Sequence, residues 1–298
     1  MTVIAVAAGV IAIISLFRER FRALPITTPM LFVFAGMALA PQALGLFETD
    51  LDDEAIAFTA ELTLALLLFS DAARIDTRNT SASLALPARL LGIGLPLSIA
   101  LGAVLTALLL TDLSWAEAAL VAAILAPTDA ALGEAVVSNK AVPAKVRQAL
   151  NVESGLNDGL VVPVIAVFAA LAAESELDSA STLVTEAIVE IGIAIAVGAF
   201  LAAVLAMVVP RIRNLGWSDD EGFRIVALSI GVSAFAGSIA LGGNGFVAAF
   251  VCGMIARRLM GEQVTKHAEL AEDVSQVGAA VVFLLFGALM VWPALDNA

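Results

Sequence analysis

Asp129, in Ile124-Leu-Ala-Pro-Thr-Asp-Ala-Ala-Leu132, and Asp158, in Asn151-Val-Glu-Ser-Gly-Leu-Asn-Asp-Gly-Leu160, are carboxylates set inside stretches apolar enough to cross a bilayer. A carboxylate at the centre of a membrane helix costs about 2.5–3.5 kcal/mol on insertion scales, so it is kept where it faces a cavity, a partner or a moving ion. Pro127 withholds a backbone donor and crowds the carbonyl four residues earlier, which predicts a loosened helix over residues 125–129. Carbonyls freed there are candidate cation ligands, joined by the Thr128 hydroxyl. Asp129 supplies charge directly or caps the next half-helix. The same residues also read as a proline kink closed by a Thr-Asp cap.

The second segment places Glu153, Ser154, Asn157 and Asp158 within six residues. At about 3.6 residues per turn Glu153 stacks with Asn157 and Ser154 with Asp158, giving one polar stripe on an oily helix. Gly155 and Gly159 permit a neighbouring backbone to come close. An aspartate in such a place suits ion exchange. Burial raises its pKa above the ordinary value of about 3.9, so it holds a proton when no cation is bound and releases it when one arrives. A single carboxylate that takes H⁺ or a metal ion, never both, couples two opposing fluxes without covalent chemistry. A hard monovalent cation is held by carboxylate, hydroxyl and carbonyl oxygens. Asp158 and Asp129 are the expected ligands of the transported metal ion, and no cofactor is implied.

These residues need a membrane scaffold to position them, and the composition supplies one. Hydrophobic residues make up 61% of the chain and charged residues 14%, the mean hydropathy is +1.00, and 298 residues give room for roughly ten spans of about 20 residues. Apolar stretches run over residues 1–17, 26–47, 55–73, 84–110, 115–137, 148–173, 183–209, 225–241, 244–260 and 274–292. The expected fold is therefore an all-α polytopic membrane protein of about ten transmembrane helices, one of them interrupted near Pro127. All fifteen Lys and Arg residues fall on alternate connections or at the stretch ends that border them, from Arg18, Arg20 and Arg22 to Arg257, Arg258 and Lys266. The opposite connections carry Glu48, Asp50, Asp52, Asp53 and Glu54, then Asp112, then Glu174, Glu176 and Asp178. The positive-inside rule then places the amino terminus outside a cell membrane.

The net charge of −13 is read as solvated acidic loops, with local cation attraction as the alternative, and no basic patch suits a nucleic acid. A single cysteine, Cys252, excludes an intrachain disulfide and a Cys-based metal cluster, leaving core packing as its expected role. The single histidine, His267, falls in the polar stretch Glu262-Gln-Val-Thr-Lys-His267 and is expected in a loop, where it could also sense pH. No linker divides the chain, so residues 1–298 are expected to form a single transmembrane ion-exchanger domain.

Thr128-Asp129 in a broken helix, followed by Glu153-Ser-Gly-Leu-Asn-Asp-Gly159, resembles the monovalent cation:proton antiporter family of the NhaP and eukaryotic sodium/proton exchanger type. The resemblance extends to Leu66-Leu-Leu-Phe-Ser-Asp-Ala-Ala-Arg-Ile-Asp76, Gly243-Asn-Gly-Phe-Val-Ala-Ala-Phe-Val-Cys-Gly253 and Val281-Val-Phe-Leu-Leu-Phe-Gly287. It implies a partial inverted-repeat antiporter fold in which Asp158 binds cation and proton in competition. Asp129 and Thr128 then shape the site, and Glu153 and Ser154 brace or line it. Asn157 implies the electroneutral branch, one H⁺ for one cation, since related electrogenic antiporters carry a second Asp there. The implied substrates are H⁺ and Na⁺ or Li⁺, with K⁺ also admitted, and the implied assembly is a homodimer. Family members continue through further helices, a second interrupted helix and a Gly-Pro-Arg-Gly type segment among them, so the chain is expected to be incomplete at its carboxyl end. Their counterpart of Glu153 commonly pairs with an arginine on a later helix, and no arginine of this chain is an obvious substitute. Two other readings stand beside this one: an intramembrane aspartyl protease with the two aspartates as a dyad, and a non-transporting membrane scaffold or sensor.

Overall fold

A backbone surrounded by lipid has no water to bond, so each segment must satisfy its own N–H and C=O groups, which a single strand cannot do and a helix can. The computed structural model describes residues 2–21, 26–46, 53–75, 85–128, 141–173 and 180–296, and no strand occurs among them. Among the described residues, ten helices of eleven residues or more carry the fold: α1 Thr2–Leu16, α2 Thr28–Leu39, α3 Asp53–Ala72, α4, α5 Trp115–Leu125, α6 Ala144–Ala173, α7 Ala180–Asn214, α8 Asp220–Ala240, α9 Gly245–Met260 and α10 Glu262–Leu289. Helix α4 is continuous through Ala85–Arg89, a wider π-type turn at Leu90–Gly94, and Leu95–Leu109. Each of the ten apolar stretches of the sequence holds one of these helices. Helices spanning Glu54–Ala72, Leu86–Leu109, Ile188–Asn214, Asp220–Ala240 and Glu262–Leu289 are long and apolar enough to cross a membrane, and shorter apolar helices accompany them.

Local chemistry sets several boundaries. Ser114 and Glu117 start α5 with a capping box, the Glu117 N–H donating to Ser114 Oγ at 3.3 Å and the Ser114 N–H donating to Glu117 Oε2 at 2.7 Å. Asp219 caps α8 by accepting from the Gly222 N–H, and Asn244 caps α9 by accepting from the Val247 N–H. Gly261, at φ +73°, ends α9 in a conformation that side chains resist, which lets α10 begin at the next residue. That start lies well before residue 274, where hydropathy alone put it. The polar run 262–273 is the first part of a long helix, and His267 is a buried helix residue rather than a loop residue, at 6% exposure.

The helices group into two compact units, Met1–Leu67 with Glu272–Ala298, and Leu68–Ala271. Within the first, Leu39, Leu284 and Ala288 form one apolar cluster and Ile14, Phe32 and Ala280 another. Within the second, Ile99 on α4, Ala122 and Ala123 on α5 and Val161 on α6 pack together, while Leu68, Ala72 and Ile75 pack on Phe250 of α9. Helices α7 and α9 share the largest contact of this unit. Gly198 makes that approach possible, since a Cβ there would sit 2.5 Å from the Ala248 carbonyl oxygen. Cys252, on the same helix, is fully buried in the packing.

Candidate functional site

The site begins where α5 stops. Regular helix ends at Leu125, Ala126 keeps a helical backbone, and Pro127 and Thr128 leave it. The chain breaks where the missing proline donor and its steric clash require it. On the neighbouring α6, Glu153 and Asn157 lie one turn apart and so share a face. The apolar cluster of Ala122, Ala123 and Val161, with the Trp115 ring set edge-on to Phe168 at 6.5 Å, fixes α5 against α6. That packing brings Thr128 over the polar face.

Three expected site residues meet there. Thr128 Oγ1 donates toward the Glu153 carboxylate, at 3.3 Å to Oε2 and 3.4 Å to Oε1. Asn157 Nδ2 donates to Thr128 Oγ1 at 2.8 Å and to Glu153 Oε1 at 3.3 Å. A carboxylate oxygen only accepts, so the amide must present its nitrogen to Glu153 and turn its oxygen elsewhere. Asn157 is completely buried, and its Oδ1 has no hydrogen-bond partner among the described residues. Leaving a buried acceptor unmatched costs about 1–3 kcal/mol, and a carbonyl oxygen so placed is a ready ligand for a desolvated cation. Thr128 is exposed, so the cluster has one face open. Among the described residues Glu153 is served by a hydroxyl and an amide, both neutral.

The remaining expected residues are not placed. Asp129 lies outside the described residues. Ser154 and Asp158 occupy helical positions in α6, and their side chains lie outside the described ones. Among the described residues no group of three or more His, Cys, Asp or Glu is assembled as for a resident metal. Pro163 inside α6 is a feature that sequence reasoning passed over. It has no N–H to give the Gly159 carbonyl four residues earlier, next to Asp158 in the chain, and the signal was an ordinary proline rule.

A second polar group was also missed. Arg213 at the end of α7, Asp220 at the start of α8 and His267 on α10 come together beside Phe223. The signal in the sequence was the spacing of Val264, His267, Ala268, Ala271 and Ser275, all buried, which traces one helical stripe through a run that reads as polar.

Comparison with known proteins places the chain. The family model described as sodium/hydrogen exchanger, transmembrane, matches residues 8–297. Similar curated proteins include a K(+)/H(+) antiporter NhaP2 of Shewanella sp. (strain ANA-3), 28% identical over 271 residues that cover 88% of this chain and 45% of that one. The K(+)/H(+) antiporter NhaP of Alkalimonas amylolytica is 27% identical over 270 residues, covering 89% and 46%. The chain thus spans about half the length of the curated relatives it matches. A solved structure, the sodium proton antiporter MjNhaP1 from Methanocaldococcus jannaschii at pH 8, shares the fold with a TM-score of 0.76 at 21% identity, over 99% of this chain and 72% of that one.

Proposed function

Because the chain belongs to the sodium/hydrogen exchanger transmembrane family, a multi-pass family of transporters and not of enzymes, we propose that it exchanges a monovalent cation for H⁺ at a site built around Asp158. Family membership sets the aspartyl protease aside. Asp158 takes a proton or a cation in turn, and Asp129, Thr128, Ser154, Asn157 and Glu153 shape and line the place where it does so. The observation that carries this reading is the Thr128–Glu153–Asn157 cluster at the end of α5, with the buried Asn157 Oδ1 left without a donor among the described residues. Hydroxyl, amide and carboxylate oxygens are the ligand set a hard monovalent cation prefers. The Gly159 carbonyl, deprived of its helical donor by Pro163, adds a further oxygen one residue from Asp158 in the chain.

Exchange is electroneutral in this proposal, because Asn157 provides no second titrating carboxylate. The cation is Na⁺, Li⁺ or K⁺, the last favoured by the names of the curated relatives. Ten crossings of a plasma membrane with the amino terminus outside, a helix interrupted at Pro127 as part of an inverted repeat, and a homodimer complete the proposal.

Everted vesicles holding the chain, energised to an acid interior and challenged with Na⁺, Li⁺ or K⁺, provide the test. Asp158→Asn is expected to abolish cation-evoked dequenching at matched expression. Undiminished dequenching in that variant overturns the assignment of Asp158.

A further inference from the structure

The Arg213–Asp220–His267 group lies apart from the cluster at the end of α5 and plays no part in the proposed exchange. Arg213 Nη2 donates to Asp220 Oδ1 at 2.9 Å, clasping the turn that joins α7 to α8. The same guanidinium nitrogen lies 3.3 Å from His267 Nε2. The Phe223 ring backs both partners, with the imidazole centred 5.5 Å away and the guanidinium carbon 5.1 Å away. The His267 side chain is only 8% exposed, and it borders an open cleft of about 450 Å³ lined by Arg213, Asp220, Arg224, Lys266, His267 and Glu269. Protons therefore have a path to a ring that is otherwise enclosed.

A guanidinium has only donors, so a hydrogen bond across this 3.3 Å contact needs a lone pair on Nε2, which is the neutral imidazole carrying its proton on Nδ1. Protonation of Nε2 would set donor against donor and charge against charge. The acceptor then nearest is Asp220 Oδ1, 3.9 Å from Nε2. The other charged groups facing the cleft are Arg224 on α8 and Lys266 and Glu269 on α10.

We propose that His267, Arg213 and Asp220 form a pH switch in which a proton on His267 exchanges Arg213 for Asp220 as the ring's partner. At alkaline pH Asp220 is held by Arg213 within the α7–α8 turn. Acid draws Asp220 toward α10, loosens the clasp and turns the Arg213 charge into the cleft. The device stands without the proposed exchange reaction; the proposed topology decides only that the compartment sensed is the cytoplasm.

His267 is the only histidine of the chain, so one imidazole signal reports on it if the purification tag contains none. The full chain, labelled with ¹⁵N-histidine and held in lipid nanodiscs, is expected to show the Nδ1–H tautomer at alkaline pH. Asp220→Asn should move the ring's titration midpoint down by about one pH unit through loss of the nearby charge, and Arg213→Gln should move it up. Trp217, in the clasped turn and 74% exposed, gives a second readout once Trp115 and Trp292 are replaced by Phe. Its emission should follow the wild-type midpoint and lose that dependence in His267→Gln. An Nε2–H tautomer at alkaline pH overturns the switch. So does a Trp217 response that His267→Gln leaves intact, and neither result bears on Asp158.

Discussion

Asn157 is the residue on which the described site turns, because one amide joins the broken end of α5 to the carboxylate of α6. Its nitrogen serves both Thr128 and Glu153, and its buried oxygen meets no donor among the described residues. Replacing Thr128 with Val removes the hydroxyl at nearly constant volume, and Asn157→Ala removes the whole amide. Each is expected to raise the half-saturating cation concentration roughly tenfold, the effect of about 1.4 kcal/mol, within the range for hydrogen bonds to a charged group. The double variant should fall short of the product of the two, since they share the 2.8 Å bond. Cation titrations of vesicle dequenching at fixed pH measure all three. Thr128, Glu153 and Asn157 were legible in the sequence because polar side chains are rare in such oily stretches. The orphaned Oδ1 was not, since satisfaction depends on which neighbours arrive in space.

At the scale of the element, proline, capping residues and close-packed glycines did most of the work. Pro127 ended α5 where its ring forbids a helix, and the Ser114–Glu117 box began that helix where its signature predicts. Gly198 sets the separation of α7 and α9, whose backbones meet at the Ala248 carbonyl. Gly198→Val is therefore expected to destabilise the protein by about 1–3 kcal/mol through overpacking. Thermal unfolding in detergent should show a clearly lowered midpoint, whereas Gly192→Ala, which has open space around it, should leave it nearly unchanged. Hydropathy misplaced the start of α10 because it averages over a turn. A helix that buries one narrow stripe of Val264, His267, Ala268 and Ala271 looks polar to such an average.

For the whole molecule, the distribution of charge is the strongest determinant, because every Lys and Arg falls on alternate connections between the apolar stretches or at the stretch ends bordering them. Asp112, between α4 and α5, and Leu215, between α7 and α8, are both exposed and fall on opposite sides of the proposed topology. Cys252, the only native thiol, is fully buried, so a Cys252→Ala background starts clean. In intact cells an impermeant maleimide is expected to label Asp112→Cys and to spare Leu215→Cys until the membrane is opened. The reverse pattern would invert the proposed orientation.

Amino-acid order alone established a helical membrane chain, the positions of its apolar stretches, the break at Pro127 and the family, because helix periodicity, lipid solubility and proline sterics act locally. Only the tertiary structure decided that Thr128 would lie on Glu153 and Asn157, and that His267 would be enclosed between Arg213 and Phe223. Those meetings join residues 25 to 54 positions apart. They follow from which helix faces pack, and packing is set by side-chain shape summed over whole helices, which no local pattern reports.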